Sequence, residues 1–171
     1  VKILEEYLSN LKLDTFLKIR TSMILKILLY SGARRGELEA LETKDFIEDG
    51  QLYIINTIGK GDKERILYTP KKYINEELEY YKKYNIKHIA ATKTGKVMDG
   101  SHIYRFLNGI YKKLGIYYTG AHILRHTFAK SMLSKDVNIV TVQELLGHAS
   151  IQTTMIYANP NQREVQKAYL D

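Results

Sequence analysis

The stretch QLYIINTIGKGDKERILYTP (residues 51–70) decides the fold class, because here a chain patterned for helices changes to the period of a sheet. Two β-rich runs, residues 52–58 and 65–69, flank the segment Gly59-Lys60-Gly61-Asp62. Their Ile, Leu, Tyr and Thr side chains suit a pleated, half-buried surface, and the glycines permit a tight turn between them. The pattern predicts a β-hairpin that holds Lys60 at a strand end.

Helical spacing prevails on both sides. Residues 15–29 place Phe16, Ile19, Met23, Ile24, Ile27 and Leu28 in the broad stripe of a buried helix. Ser31-Gly32 interrupts it, and a short helix over 35–41 follows. Downstream, residues 71–84 form an amphipathic, tyrosine-rich helix, 90–100 read as a loop with Thr-Lys-Thr-Gly and Asp-Gly turn signals, and 102–114 return to helix. The last third predicts helices over 121–133, 140–146 and 151–157. Gly147 caps the second of these and leaves His148 just beyond its end. Asn159-Pro160 stops the third, and residues 162–170 make a final short helix able to lie on its own domain or on a neighbour. The expected class is mainly α with a small antiparallel β-sheet (α+β), in a single domain.

Composition narrows the chemistry. The 171 residues carry 26 Lys+Arg against 19 Asp+Glu, a net charge of +7, which makes a polyanion a plausible partner. The absence of cysteine excludes disulfides, thiolate zinc sites and a cysteine nucleophile, so any nucleophile is oxygen or nitrogen. No apolar run approaches the roughly 18 residues of a membrane span. With Glu5, Glu6 and Asp14, the first residues do not resemble a signal peptide, and a cytoplasmic location without membrane contact is expected.

The segment AHILRHTFAK (121–130) sets a specific problem. At about 100° per residue, His122, Arg125 and His126 fall on one arc, beside an apolar arc of Ala121, Leu124, Phe128 and Met132. Cationic groups at a core boundary call for a partner, and an anion is the obvious one. Histidines at i, i+4 could share a metal, but Arg125 between them repels a cation, so no metal site is expected.

Four separated stretches, SGARRGEL (31–38), IGKGDKERI (58–66), AHILRH (121–126) and LGHASIQTTMIY (146–157), together resemble the catalytic motifs of the tyrosine recombinases, the phage integrase and Xer family. The likeness requires an arginine after Ser/Thr-Gly-X, a lysine in a hairpin turn, His-X-X-Arg-His, Leu-Gly-His, and a tyrosine nine residues after that histidine; all occur in order. It implies the tyrosine recombinase catalytic-domain fold over residues 1–171, without the family's N-terminal DNA-clamping domain. Carried over position by position, it makes Tyr157 the nucleophile and surrounds the scissile phosphate with Arg34, Lys60, His122, Arg125 and His148. Glu37 matches an acid that braces the site. The family usually has Pro where this chain has Ala121, which relaxes the start of that helix.

The implied function is that of a site-specific DNA recombinase or integrase. It cleaves and rejoins double-stranded DNA through a covalent 3′-phosphotyrosyl intermediate, with no cofactor, metal or ATP, and self-associates on DNA as a tetrameric synapse. Residue chemistry agrees with those roles. Arginines stay charged and grip phosphate oxygens through a planar fork. A tyrosine, with reference pKa about 10, needs a positive field or a base in order to attack. His122 is the better candidate base, His148 the better phosphate donor, and Lys60 the expected general acid for the leaving 5′ oxygen. His126 has a supporting role. Arg35, Lys63 and Arg65 are expected to contact the DNA backbone, and His88 and His102 to lie at the surface. The same residues could instead run a type IB topoisomerase-like relaxation, or remain in a DNA-binding module without catalysis.

Overall fold

The computed structural model describes residues 1–59, 61–147 and 162–171. At its centre lies α2 (Phe16–Ser31), preceded by α1 (Lys2–Asn10). Thr15 caps α2, its side chain accepting from the Lys18 backbone N–H at 3.4 Å, and Gly32 ends the helix at φ +74. Met23, Ile24, Leu25, Ile27, Leu28 and Leu29 are all buried, so the helix is apolar nearly all round, as a central core helix must be. α1 has no strong sequence signal beyond Leu4 and Leu8, which one turn apart bury against the same core.

The hairpin forms where the pattern placed it, as β2 (Leu52–Ile58) and β3 (Glu64–Pro70), with Ile55 opposite Leu67 and Thr57 opposite Arg65. A third strand, β1 (Phe46–Asp49), follows a 3-10 turn and pairs antiparallel with β2, giving the order β1-β2-β3. Only Phe46 of that strand is buried, so its sequence shows no alternation by which to anticipate it. Each face of the hairpin meets its own cluster. Tyr53, Ile55 and Leu67 join the main core around α2, whereas Leu52, Tyr68, Ile54 and Ile66 pack with residues from the last three of the described helices.

Pro70 passes the chain into α4 (Lys71–Lys83), which sets Ile74, Leu78 and Tyr81 against α2. Its buried Glu77 accepts hydrogen bonds from Ser22 Oγ and Lys26 Nζ, both at 2.5 Å. α5 (Gly100–Lys113) begins at Gly100 rather than His102, because the Asp99 side chain accepts from the His102 N–H at 2.7 Å and caps the helix there. His88 and His102 are both half-buried, and His88 forms a backbone bridge with Glu42. α6 (His122–Leu133) packs on α2, with Leu124 in the main core, while its Phe128 and Met132 join the second cluster. α7 (Ile139–Leu146) is capped by Asn138 and ends at Gly147, φ +65. α8 (Gln162–Leu170) lies on its own chain: Tyr169 is buried beside Tyr68 and Phe128, and its hydroxyl donates to the Ser31 carbonyl at 3.3 Å. The helix expected over 151–157 lies outside the described residues. Among those described, no helix is long and apolar enough to cross a membrane.

Candidate active site

The site begins where α2 ends. Gly32 turns the chain, Arg34 is extended at φ −82 and ψ 156, and α3 (Arg35–Ala40) starts immediately after it. Glu37, on the first turn of α3, reaches back so that its Oε2 accepts from the Arg34 backbone N–H at 2.7 Å. The motif thereby places the Arg34 guanidinium beside a carboxylate, with Nη1 3.7 Å from Glu37 Oε1. Glu37 is only 2% exposed, and a carboxylate so deeply buried requires a strong partner.

That partner is Arg65. Its Nη1 donates to both oxygens of Glu37 at 2.6 Å, and its Nη2 donates to the Leu145 carbonyl. The strand pleat explains its inward direction: Arg65 shares with Leu67 and Thr69 the face of β3 that meets the main core, while Glu64, on the other face, is exposed at the strand's start. Arg65, expected to contact the DNA backbone, is thus buried, at 8% exposure.

Arg125 completes the cluster from α6. Its Nη1 donates to the Gly32 carbonyl at 3.1 Å and its Nη2 to the Leu146 carbonyl. Arg34 Nη2 donates to the Leu146 and Gly147 carbonyls at 3.0 and 3.1 Å. The terminal carbonyls of α7, which have no partner inside their own helix, are thus taken up by three guanidinium groups at the negative end of the helix dipole. Burial, then the charges of Arg65 and Arg34, bring the Arg125 pKa down to about 10, against the pull of Glu37. It remains protonated at neutral pH. Three positive charges against one carboxylate leave a net positive field.

The field opens on a cleft of about 480 Å³ lined by Arg34, Arg35, Tyr104, His122 and Arg125. Ala121 adopts φ −85 and ψ −18, so α6 starts directly at His122 without the usual proline. The single cationic arc expected on α6 divides in two. Arg125, next to Met132 on the helix circumference, is buried, while His122 and His126 are exposed with ring centroids 6.5 Å apart. Arg35 is exposed and lies against the first turn of α5, where a side chain built at Gly100 would meet its Nε at 3.0 Å. Lys63 is exposed in the hairpin turn.

The hairpin turn comes close to the cluster. Gly59 donates its N–H to the Lys63 carbonyl at 2.7 Å, and a side chain built at Gly59 would lie 3.5 Å from Glu37 Oε1 and 3.8 Å from Arg34 Nη1. Lys60, His148 and Tyr157 lie outside the described residues; Gly59 and Gly147 are the described neighbours of the first two. Arg34, Glu37, His122 and Arg125 are brought together as their motifs implied. Sequence reading missed Tyr104, whose ring backs Gly120 and borders the cleft, since a tyrosine on an amphipathic helix gives no separate signal.

A sequence profile of the phage integrase family matches residues 3–164. The tyrosine recombinase XerH of Campylobacter jejuni is 33% identical over 91% of this chain and 49% of its own length. The tyrosine recombinase XerD of Listeria innocua is 34% identical over 96% of this chain and 58% of its own. Among solved structures, the XerH site-specific recombinase in a post-cleavage complex with a palindromic difH substrate superposes with a TM-score of 0.76 at 27% identity. That match covers 98% of this chain and 49% of the other. The chain thus spans about half the length of the XerH relative. With the helical fold, its three-stranded antiparallel sheet and a family match over nearly all its residues, the chain belongs to the phage integrase family.

Proposed function

We propose that this chain is the strand-cleaving catalytic domain of a site-specific tyrosine recombinase acting on double-stranded DNA. The observation that carries the reading is the convergence of Arg34, Arg65 and Arg125 on Glu37 and the carbonyls at the end of α7, at the edge of an open cleft. Attack on a phosphodiester adds negative charge to the non-bridging oxygens, and preorganised guanidinium donors stabilise that charge without reorganising. A cleft with excess positive charge from fixed arginines fits a phosphate better than a neutral or cationic substrate.

In this reading Tyr157 Oη attacks the scissile phosphorus. The bond to O5′ breaks, O5′ leaves as a hydroxyl with a proton from Lys60, and a 3′-phosphotyrosyl ester remains. Arg34 and Arg125 hold the phosphate, His122 takes the tyrosine proton and His148 donates to a phosphate oxygen. Attack by the 5′ hydroxyl of a partner strand reverses the step and restores Tyr157. The bond energy stays in the ester, so rejoining needs no ATP. Exchange requires copies of the chain to assemble on paired DNA, and this reading has the protein act on that DNA in the cytoplasm. Arg35 and Lys63, both exposed, supply backbone contacts.

Incubation with a nicked suicide duplex followed by denaturing electrophoresis tests the reading. The expected result is a covalent protein–DNA adduct that disappears in Tyr157→Phe. No adduct, or an adduct that survives Tyr157→Phe, overturns it. Relaxation of supercoiled DNA without exchange between two sites would instead assign a topoisomerase-like reaction.

A further inference from the structure

We propose that Arg65 is a positioning residue for strand cleavage: it pins the hairpin that carries Lys60 to Glu37 and to the end of α7, and makes no contact with DNA. The inference rests on the recombinase reading above.

Three elements meet at this one side chain. Arg65 is the second residue of β3, directly behind the hairpin turn. Through Nη1 it holds both oxygens of Glu37, and Glu37 in turn holds the backbone of Arg34. Through Nη2 it holds the Leu145 carbonyl in the last turn of α7. Its stem also runs beneath Gly147: a side chain built there would meet Arg65 Nε at 3.0 Å and Cδ at 3.2 Å. Each motif is therefore tied to Arg65 close to a residue assigned to chemistry. Lys60 follows Gly59, which borders Glu37; His148 follows Gly147, which lies over Arg65; and Arg34 shares Glu37 with it.

The fork geometry makes the role specific. Glu37 belongs to a helix whose Leu38 lies in the main core, and Leu145 belongs to the second cluster, so Arg65 joins two separately packed bodies. A planar guanidinium donates in two fixed directions at once, whereas a lysine ammonium acts as a point charge on a flexible stem. At 8% exposure, Arg65 is poorly placed to neutralise a phosphate on the protein surface.

The test measures DNA affinity and single-turnover adduct formation at saturating DNA for wild type, Arg65→Lys, Arg65→Met and the double variant Glu37→Gln/Arg65→Met. The double variant removes the carboxylate charge that Arg65→Met alone would strand, which keeps a folded comparison available. Adduct formation is expected to fall about 100-fold in Arg65→Met and in the double variant and about 10-fold in Arg65→Lys, with DNA affinity within about threefold of wild type. A second substrate carries sulfur in place of the bridging 5′ oxygen. A thiolate leaves without a proton, because thiol pKa values lie near 8.5. If the hairpin has shifted, this substrate is expected to recover at least tenfold of the lost rate in the Met variants, a recovery that general destabilisation would not produce.

Wild-type cleavage rates in the Met variants, or a loss the sulfur substrate leaves untouched, would overturn the proposal. Weaker DNA binding with a salt dependence reduced by about one phosphate contact would also overturn it, since Arg65 would then touch DNA. Absence of an adduct from the wild type would overturn the recombinase reading and this proposal with it. A normal wild-type adduct beside an unimpaired Arg65→Met adduct would overturn the positioning role alone.

Discussion

Arg34 and Arg125 donate to the same acceptor, the backbone carbonyl of Leu146. One arginine precedes α3 and the other lies on α6, so the end of α7 fixes the separation between two guanidinium groups from distant parts of the chain. Preorganisation at a phosphate site requires this: the donors are oriented by protein contacts before substrate arrives.

Shared anchoring makes the two arginines energetically coupled. Arg34→Ala and Arg125→Ala are each expected to lower single-turnover adduct formation by about 100- to 1,000-fold, the usual cost of removing a preorganised donor. The double variant should lose less than the product of the two, because either deletion removes a donor from the Leu146 carbonyl and lets the end of α7, on which the other arginine is anchored, relax. Multiplicative losses would mean that the two groups act independently.

Gly32 carries two loads at once. Its φ of +74 suits glycine, and a side chain built there would lie 2.6 Å from Phe128 Cδ1, a ring that is 1% exposed. Gly32→Ala combines left-handed backbone strain with overpacking and should cost roughly 2–4 kcal/mol. Urea denaturation would show this as a lower midpoint with an unchanged slope. Because the Gly32 carbonyl also accepts from Arg125 at 3.1 Å, adduct formation should fall even where the variant is fully folded.

Three residues that line the cleft were legible in the sequence through motif spacing, Arg34, His122 and Arg125, and Glu37 of the first stretch lies buried behind Arg34. Arg65 was not. In ERILYTP the alternation that turns Arg65 inward is hidden, because Ile66, Leu67 and Tyr68 are all apolar and pack against clusters on opposite faces. Only the paired register, with Arg65 opposite buried Thr57, shows which face it occupies. Strand β1 escaped for the converse reason: one buried residue, Phe46, carries no period. On α6 the helical arc grouped Arg125 with the two histidines, a grouping that the structure divides. The arc could not show that the arginine, nearest the apolar side, is buried while the histidines are exposed.

Glu77 offers a control away from the cleft. It is 1% exposed and receives Ser22 and Lys26, so Glu77→Ala strands a buried hydroxyl and unpairs a lysine whose side chain is 20% exposed. The expected loss is about 2–4 kcal/mol, below the cost of a fully buried broken pair because Lys26 regains some water. Adduct formation per folded molecule should be unchanged at a temperature where the variant is native. A rate defect there would extend the site to the α2–α4 contact.

Alkaline titration separates core tyrosines from surface ones. Burial pushes the hydroxyls of Tyr30 and Tyr53 up to about 12, and those of Tyr81, Tyr111 and Tyr169 higher still. An unfolded tyrosine ionises near about 10. Above that pH the folded state holds more protons than the unfolded one, so the stability these groups contribute is complete below about pH 10 and is lost as pH rises toward their folded values. Tyrosinate absorbance from these five hydroxyls should therefore appear above the value of about 10 for an unfolded tyrosine, together with loss of helical circular dichroism. In Tyr169→Phe, α8 keeps its ring packing against Tyr68 and Phe128 but has no hydroxyl to ionise, and its unfolding should move to higher pH. A single absorbance transition near pH 10 that precedes any loss of helix would contradict the burial of these five side chains.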